Sequence, residues 1–152
     1  MEKLPVEIRT ANAGDVAFIF NAWLRSYQAG TWLNKFIPHK IFYSKHHKLI
    51  EDLIRNPNTS LLVACDPTDN DTIFGFACGE TLRDNTNGKD YLILHYVYCK
   101  EGFRNKSLAK TLISALPAFD KETIFFTSHL TYSWLKVAPR FKTFHDPYHL
   151  YK

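Results

Sequence analysis

The run from Tyr91 to Cys99, YLILHYVYC, has strand length and is rich in β-branched and aromatic residues. Its alternation places Tyr91, Ile93, His95, Val97 and Cys99 on one face and Leu92, Leu94, Tyr96 and Tyr98 on the other. Apolar residues on both faces predict a central strand. After a loop from Lys100 to Lys106 the period changes. Leu108, Leu112, Ile113 and Leu116 recur at helical spacing, with Ser107 placed as N-cap and Pro117 as a stop.

The same patterns organise the rest of the chain. Val6 to Thr10 reads as a short strand, with Asp15 in the first turn of the helix after it. Val16, Ile19, Phe20, Trp23, Leu24 and Tyr27 form the apolar stripe of that helix, which Gly30 terminates. A connector from Thr31 to His39 carries Trp32 and Phe36, either as core packing or as the wall of a pocket. A second helix spans Lys40 to Arg55, with Phe42, His46, Leu49, Ile50, Leu53 and Ile54 on its apolar side, and ends at Asn56-Pro57. Ser60 to Cys65 and Ile73 to Leu82 form a hairpin through a turn rich in Asp, and Asp84 to Lys89 turns into the central strand. Gly75 and Gly79 share a face, leaving room for a substrate or for a packed helix. Thr123 to Ser128 is a short strand and Thr131 to Ala138 a short helix. The tail from Phe141 to Tyr151 is extended in part and broken at Pro147. The order is a strand, two helices, three strands, a helix, a strand, a short helix and a strand.

Composition narrows the class. The 152 residues suit one domain, 1–152, and 45% hydrophobic with 22% charged residues marks a globular chain, neither disordered nor fibrous. A net charge of +4 permits an anionic ligand but falls short of a nucleic-acid-binding signature. From Lys100 to Lys110 stand Lys100, Arg104, Lys106 and Lys110 against Glu101 alone, so most of the excess sits in one loop. A helix starting behind that loop aims its free N–H groups and positive dipole end into it, a phosphate site in outline. A solvated basic loop is the plain alternative. Cys65, Cys78 and Cys99 lie singly in strand-like runs, which points to free thiols in a reducing compartment. No leader and no apolar run of membrane-spanning length are apparent, and the expected location is cytoplasmic. His46 and His47 are adjacent, so they face different ways; His145 and His149 straddle Pro147. No metal is expected at either pair, nor at His129.

The stretch from Val97 to Ala109 resembles the acyl-CoA-binding core of the GCN5-related N-acetyltransferases. That family carries an Arg/Gln-x-x-Gly-x-Gly/Ala signature after its fourth strand. Here it is matched by Arg104, Asn105, Lys106, Ser107, Leu108 and Ala109, with Ser107 in a glycine slot. The element order matches the family's fold along nearly the whole chain. The resemblance implies an α/β fold of the α+β type, a mixed sheet flanked by helices on both faces. It implies transfer of an acetyl group from acetyl-CoA to a primary amine by direct attack in a ternary complex. Val97, Tyr98 and Cys99 would offer backbone groups to the thioester and the pantetheine arm. The N–H groups from Arg104 to Ala109, with Lys110 nearby, would hold the pyrophosphate. His95 and Glu80 are the candidate bases. The family's acidic Tyr slot falls on Lys136, and Tyr132, one turn earlier, is the candidate substitute. The acceptor, a small molecule or a macromolecule, is not written in the sequence; nucleic acid enters only as a candidate acceptor, and a homodimer is left open. The competing reading is a binding or regulatory module of the same shape without catalysis, motivated by Ser107 and Lys136.

Overall fold

The strands follow one another across a single six-stranded sheet in chain order. The computed structural model describes residues 5–31, 34–104, 107–120, 125–129, 131, 134–135, 138 and 141–146. Strand β1 (Glu7–Thr10) leads through a 3-10 turn (Ala13–Asp15) into helix α1 (Val16–Ala29), and a second such turn (Asn34–Phe36) into α2 (His39–Arg55). Strands β2 (Thr59–Asp66), β3 (Asp69–Asp84) and β4 (Lys89–Cys99) follow with β1 as antiparallel neighbours. Helix α3 (Leu108–Ala115) then crosses over to β5 (Phe125–Thr127), which pairs parallel with β4 and with β6 (Thr143–His145). A parallel neighbour needs such a crossover, so the mixed sheet follows from the element order. Of the short helix expected after β5, Trp134 and Leu135 are helical, and the Leu135 N–H donates to Thr131 O at 3.1 Å.

Two cores cover the two faces. Leu108, Leu112, Ile113 and Leu116 bury against Ala77, Leu92, Leu94, Phe125 and Trp134. Ile19, Trp23 and Leu24 of α1, with Phe42 and Ile50 of α2, bury against Val63, Phe76, Cys78 and Tyr96. Asp15 joins the strand to the helix. It takes two bonds from Arg9, at 2.7 and 3.0 Å, and one from the Asn12 N–H at 2.8 Å, while the Asn12 side chain accepts from Gly14. The Arg9 guanidinium holds the Asp15 carboxyl below its usual range.

Several expectations need correction. The strict alternation along β4 fails at His95. Tyr96 pairs with Cys78 and Leu94 with Gly79, so His95 is an extra residue, a β-bulge. A bulge shifts the phase of the strand by one position. Leu92 and Leu94 therefore face α3, whereas Tyr96 and Tyr98 face α1 and α2, and Val97 and Cys99 return to the α3 side. Ser107 does not cap α3: its backbone is left-handed, φ 61° and ψ 16°, and its side chain makes no capping bond. Gly79 leaves room for a helix. A Cβ there would lie 2.8 Å from Leu92 Cδ1 and 2.9 Å from Leu116 Cδ1, and one on Gly75 would collide with the Tyr98 carbonyl. Phe36 is 68% exposed and does not pack in the core; Trp32 lies outside the described residues.

Candidate active site

The bulge at His95 coincides with the place where β4 and β5 part. Their ladder consists of Ile93 with Phe126 and Leu94 with Thr127, and the Ser128 N–H donates to Leu94 O at 3.1 Å. Past Leu94, β4 has no ladder partner on that side among the described residues. A cleft opens there, with Leu94, His95, Tyr96 and Val97 on one wall and Thr127, His129, Thr131 and Trp134 on the other. It has room of about 20 Å³, enough for one water molecule.

Behind the cleft runs a chain of hydrogen bonds. Glu80 Oε1 lies 2.9 Å from His95 Nε2, and His95 Nδ1 lies 2.6 Å from Ser128 Oγ. Ser128 Oγ lies 2.9 Å from His129 Nδ1, and His129 Nε2 lies 3.2 Å from His46 Nε2. Glu80, His95, Ser128 and His129 are all buried, and His46 is partly exposed on α2. His95 and Glu80, expected as separate candidates, are thus one bonded pair. The sequence pattern does not single out Ser128, and it raises His129 only as a metal ligand. The available signal was a polar pair directly after an apolar strand end.

Burial pushes His46 down to about 4. His129 lies well below the usual histidine value, first because of burial and then because of the neighbouring His46, His95 and His145. Both rings are neutral at neutral pH, so each donates from one nitrogen and accepts at the other. Aromatic rings hold them in place. Tyr27 stands 4.8 Å from both His46 and His129, and Trp23 stacks on Tyr96 at 4.9 Å. The Tyr96 hydroxyl reaches Ser26 Oγ at 2.6 Å.

The first part of the basic loop, Lys100 to Arg104, is tied to its surroundings at the end of β4. Lys100 N–H donates to Phe74 O at 2.8 Å, and Phe103 stacks on Phe74 at 4.3 Å. The Lys100 ammonium lies 5.2 Å above the Phe18 ring. Gly102 takes φ 92°, a left-handed turn open to glycine. Arg104 is exposed and its Nε donates to Cys99 O at 3.0 Å. Burial raises the Cys99 thiol to about 11, which keeps it protonated. Leu108 is buried and Ala109 partly so, while Ser107 and Lys110 are exposed. Asn105, Lys106, Tyr132 and Lys136 lie outside the described residues. The loop and the start of α3 follow the end of β4 in the chain.

On the α1 and α2 side, Asn21, Arg25, Gln28, Lys35, His39 and Tyr43 line an open groove. His145 Nδ1 bonds to Thr127 O at 3.1 Å, and His149 lies outside the described residues. No group of three metal-ligating side chains comes together among the described residues. No helix there is long and apolar enough to cross a membrane.

A sequence model of the acetyltransferase (GNAT) family matches residues 17–131. No curated protein matches the chain. Among solved structures, a putative acetyl transferase from Pyrococcus furiosus superposes with a TM-score of 0.61 at 11% identity, covering 93% of this chain and 82% of that one. A possible acetyltransferase from Clostridium difficile 630 gives 0.52 at 12% identity, over 92% and 77% of the two chains. A ribosomal-protein-alanine N-acetyltransferase from Brucella melitensis biovar Abortus 2308 gives 0.51 at 17% identity, over 93% and 79%. At these identities the likeness is one of fold.

Proposed function

The chain belongs to the GNAT acetyltransferase family, and from that premise we propose that it transfers an acetyl group from acetyl-CoA to a primary amine by direct attack in a ternary complex. The observation that carries this reading is the buried Glu80–His95 pair standing at the bulge where β4 and β5 part. The thioester lies beside the cleft, against the backbone of Val97, Tyr98 and Cys99. The pyrophosphate lies on the N–H groups that begin α3, beside Arg104 and Lys110, where a helix N-terminus and positive side chains favour an anion. Ser107 stands in the slot where the family usually has glycine, and its left-handed backbone there carries a cost in strain.

The amine must be neutral to attack. Its nitrogen bonds to the thioester carbon, and it gives up a proton to the Glu80–His95 pair directly or through the water that the cleft accommodates. Donors of the parted β4 backbone stabilise the oxyanion while it exists. The carbon–sulfur bond then breaks, and the CoA thiolate takes a proton from Tyr132 or from water. The groove of Arg25, Lys35, His39 and Tyr43 offers cationic and aromatic neighbours to the body of the acceptor.

One observation favours the second reading, a binding module without catalysis: both ring nitrogens of His95 are engaged inside the protein. Release of free CoA thiol from acetyl-CoA, followed with a panel of aminoacyl amides, polyamines and lysine peptides, decides between them. The enzyme reading expects turnover with at least one amine and a loss of about 100-fold or more in Glu80→Gln. Tight acetyl-CoA binding without thiol release from any amine establishes the module.

A further inference from the structure

We propose that Ser128, His129 and His46 form a proton relay that carries the acceptor's proton from His95 to the solvent side of α2. The proposal rests on the acetyltransferase reading and adds to it three residues and a direction of travel. Net acetyl transfer from an ammonium releases one proton to solvent, and His95, which receives it, is 1% exposed and lines a cleft that the substrates cover during turnover. A buried base that turns over repeatedly needs a way to unload.

The links are continuous. Successive polar atoms from Glu80 to His46 lie 2.9, 2.6, 2.9 and 3.2 Å apart. Each distance lies within or at the edge of the hydrogen-bonding range. Every member can donate on one side while accepting on the other, as the neutral imidazole and the hydroxyl both do. Glu80 takes the amine's proton and passes a hydrogen to His95 Nε2, so that the ring, already carrying a hydrogen on Nδ1, holds hydrogens on both nitrogens. The Nδ1 hydrogen passes to Ser128 Oγ, and the Ser128 hydroxyl hydrogen passes to His129 Nδ1. The hydrogen on His129 Nε2 passes to His46 Nε2, and the one on His46 Nδ1 leaves to water. Each residue that loses a hydrogen gains one, on the other ring nitrogen in the case of His129 and His46, apart from His95, which returns to neutral, and the chain delivers one proton in all. The hydrogens return to their starting sides between turnovers.

The surroundings suit transit rather than storage. Tyr27 faces His129 from α1, His46 from α2, His95 and Tyr96 from β4, and His145 from β6, with Glu80 of β3 reached through His95. Of these groups only Glu80 is an acid, and it lies at the inner end. A proton resting on His129 would stand among three other imidazoles, so it moves on. The ordinary structural explanation, polar groups satisfied inside a core, accounts for the bonds. It does not account for a chain that passes the cleft at His95 and His129 and ends at a partly exposed residue on another element.

The test uses the full chain and the amine found by the thiol-release assay. Ser128→Ala cuts the middle of the relay and His46→Gln its outer end, at a partly exposed position. Both variants are checked by thermal melting. The relay expects kcat to fall about 100-fold in Ser128→Ala with the KM for acetyl-CoA unchanged. It expects a larger solvent isotope effect, recovery in Ser128→Thr, and rescue of His46→Gly by added imidazole. If folded Ser128→Ala and His46→Gln turn over as wild type with the same pH profile, the relay is overturned and the acetyltransferase reading stands. If wild type releases no thiol with any amine, the acetyltransferase reading fails and takes the relay with it.

Discussion

Ser107 holds a left-handed backbone, φ 61°, at the start of α3 without a side-chain bond in return. That conformation costs a residue with a Cβ about 1–2 kcal/mol. Ser107→Gly should therefore raise stability by about 1 kcal/mol, after the entropy that glycine adds to the unfolded chain, and show it as a higher melting temperature. An unchanged or lower melting temperature would contradict the strain. The sequence marked Ser107 as a departure in a glycine slot but read it as a cap, because Ser before an apolar helix is a strong capping pattern. The conformation is dictated by the turn that precedes it, which a single position does not reveal. His95 and Glu80 were legible as titratable residues on neighbouring strands. Their mutual bond was not, since register between strands decides it.

At the level of elements, periodicity carried most of the information. The helices α1, α2 and α3 and the three long strands all stand where the apolar spacing places them, because each buries one stripe or face in a core. The bulge in β4 escaped because alternation continues through it in the sequence and breaks only in the pairing. Ser128 and His129 escaped for a related reason: they matter only because the bulge brings His95 to them. Gly79 shows how closely α3 sits on the sheet. Gly79→Val should destabilise the fold by about 1–3 kcal/mol, since its side chain would overlap Leu92 and Leu116; chemical denaturation checks this. In the second core, Trp23 is fully buried and stacked on Tyr96. Trp23→Ala should cost about 3–5 kcal/mol in the same measurement.

The molecule as a whole should be acid-sensitive through His46 and His129, which the fold holds neutral. His46 and His129 are both depressed from the usual value, so above pH 6.5 folded and unfolded states alike leave them neutral. As pH falls below 6.5 the unfolded chain takes up protons that the folded one refuses, and stability drops. For His46, a fall from 6.5 to about 4 at about 1.4 kcal/mol per unit amounts to about 3 kcal/mol, lost progressively across that window. Asp15, held low by Arg9, adds to the loss further down the scale. Denaturant midpoints between pH 7 and 4 should fall steeply in wild type and less steeply in His46→Gln; equal slopes would mean that His46 is not held neutral.

The central claim is that the end of β4, the basic loop and the start of α3 hold acetyl-CoA. Calorimetric titration of acetyl-CoA into wild type and Arg104→Glu tests it most directly. The account predicts binding at micromolar affinity or better in wild type and a loss of at least ten-fold in Arg104→Glu, with both proteins folded. Failure of wild type to bind either acetyl-CoA or CoA would contradict it.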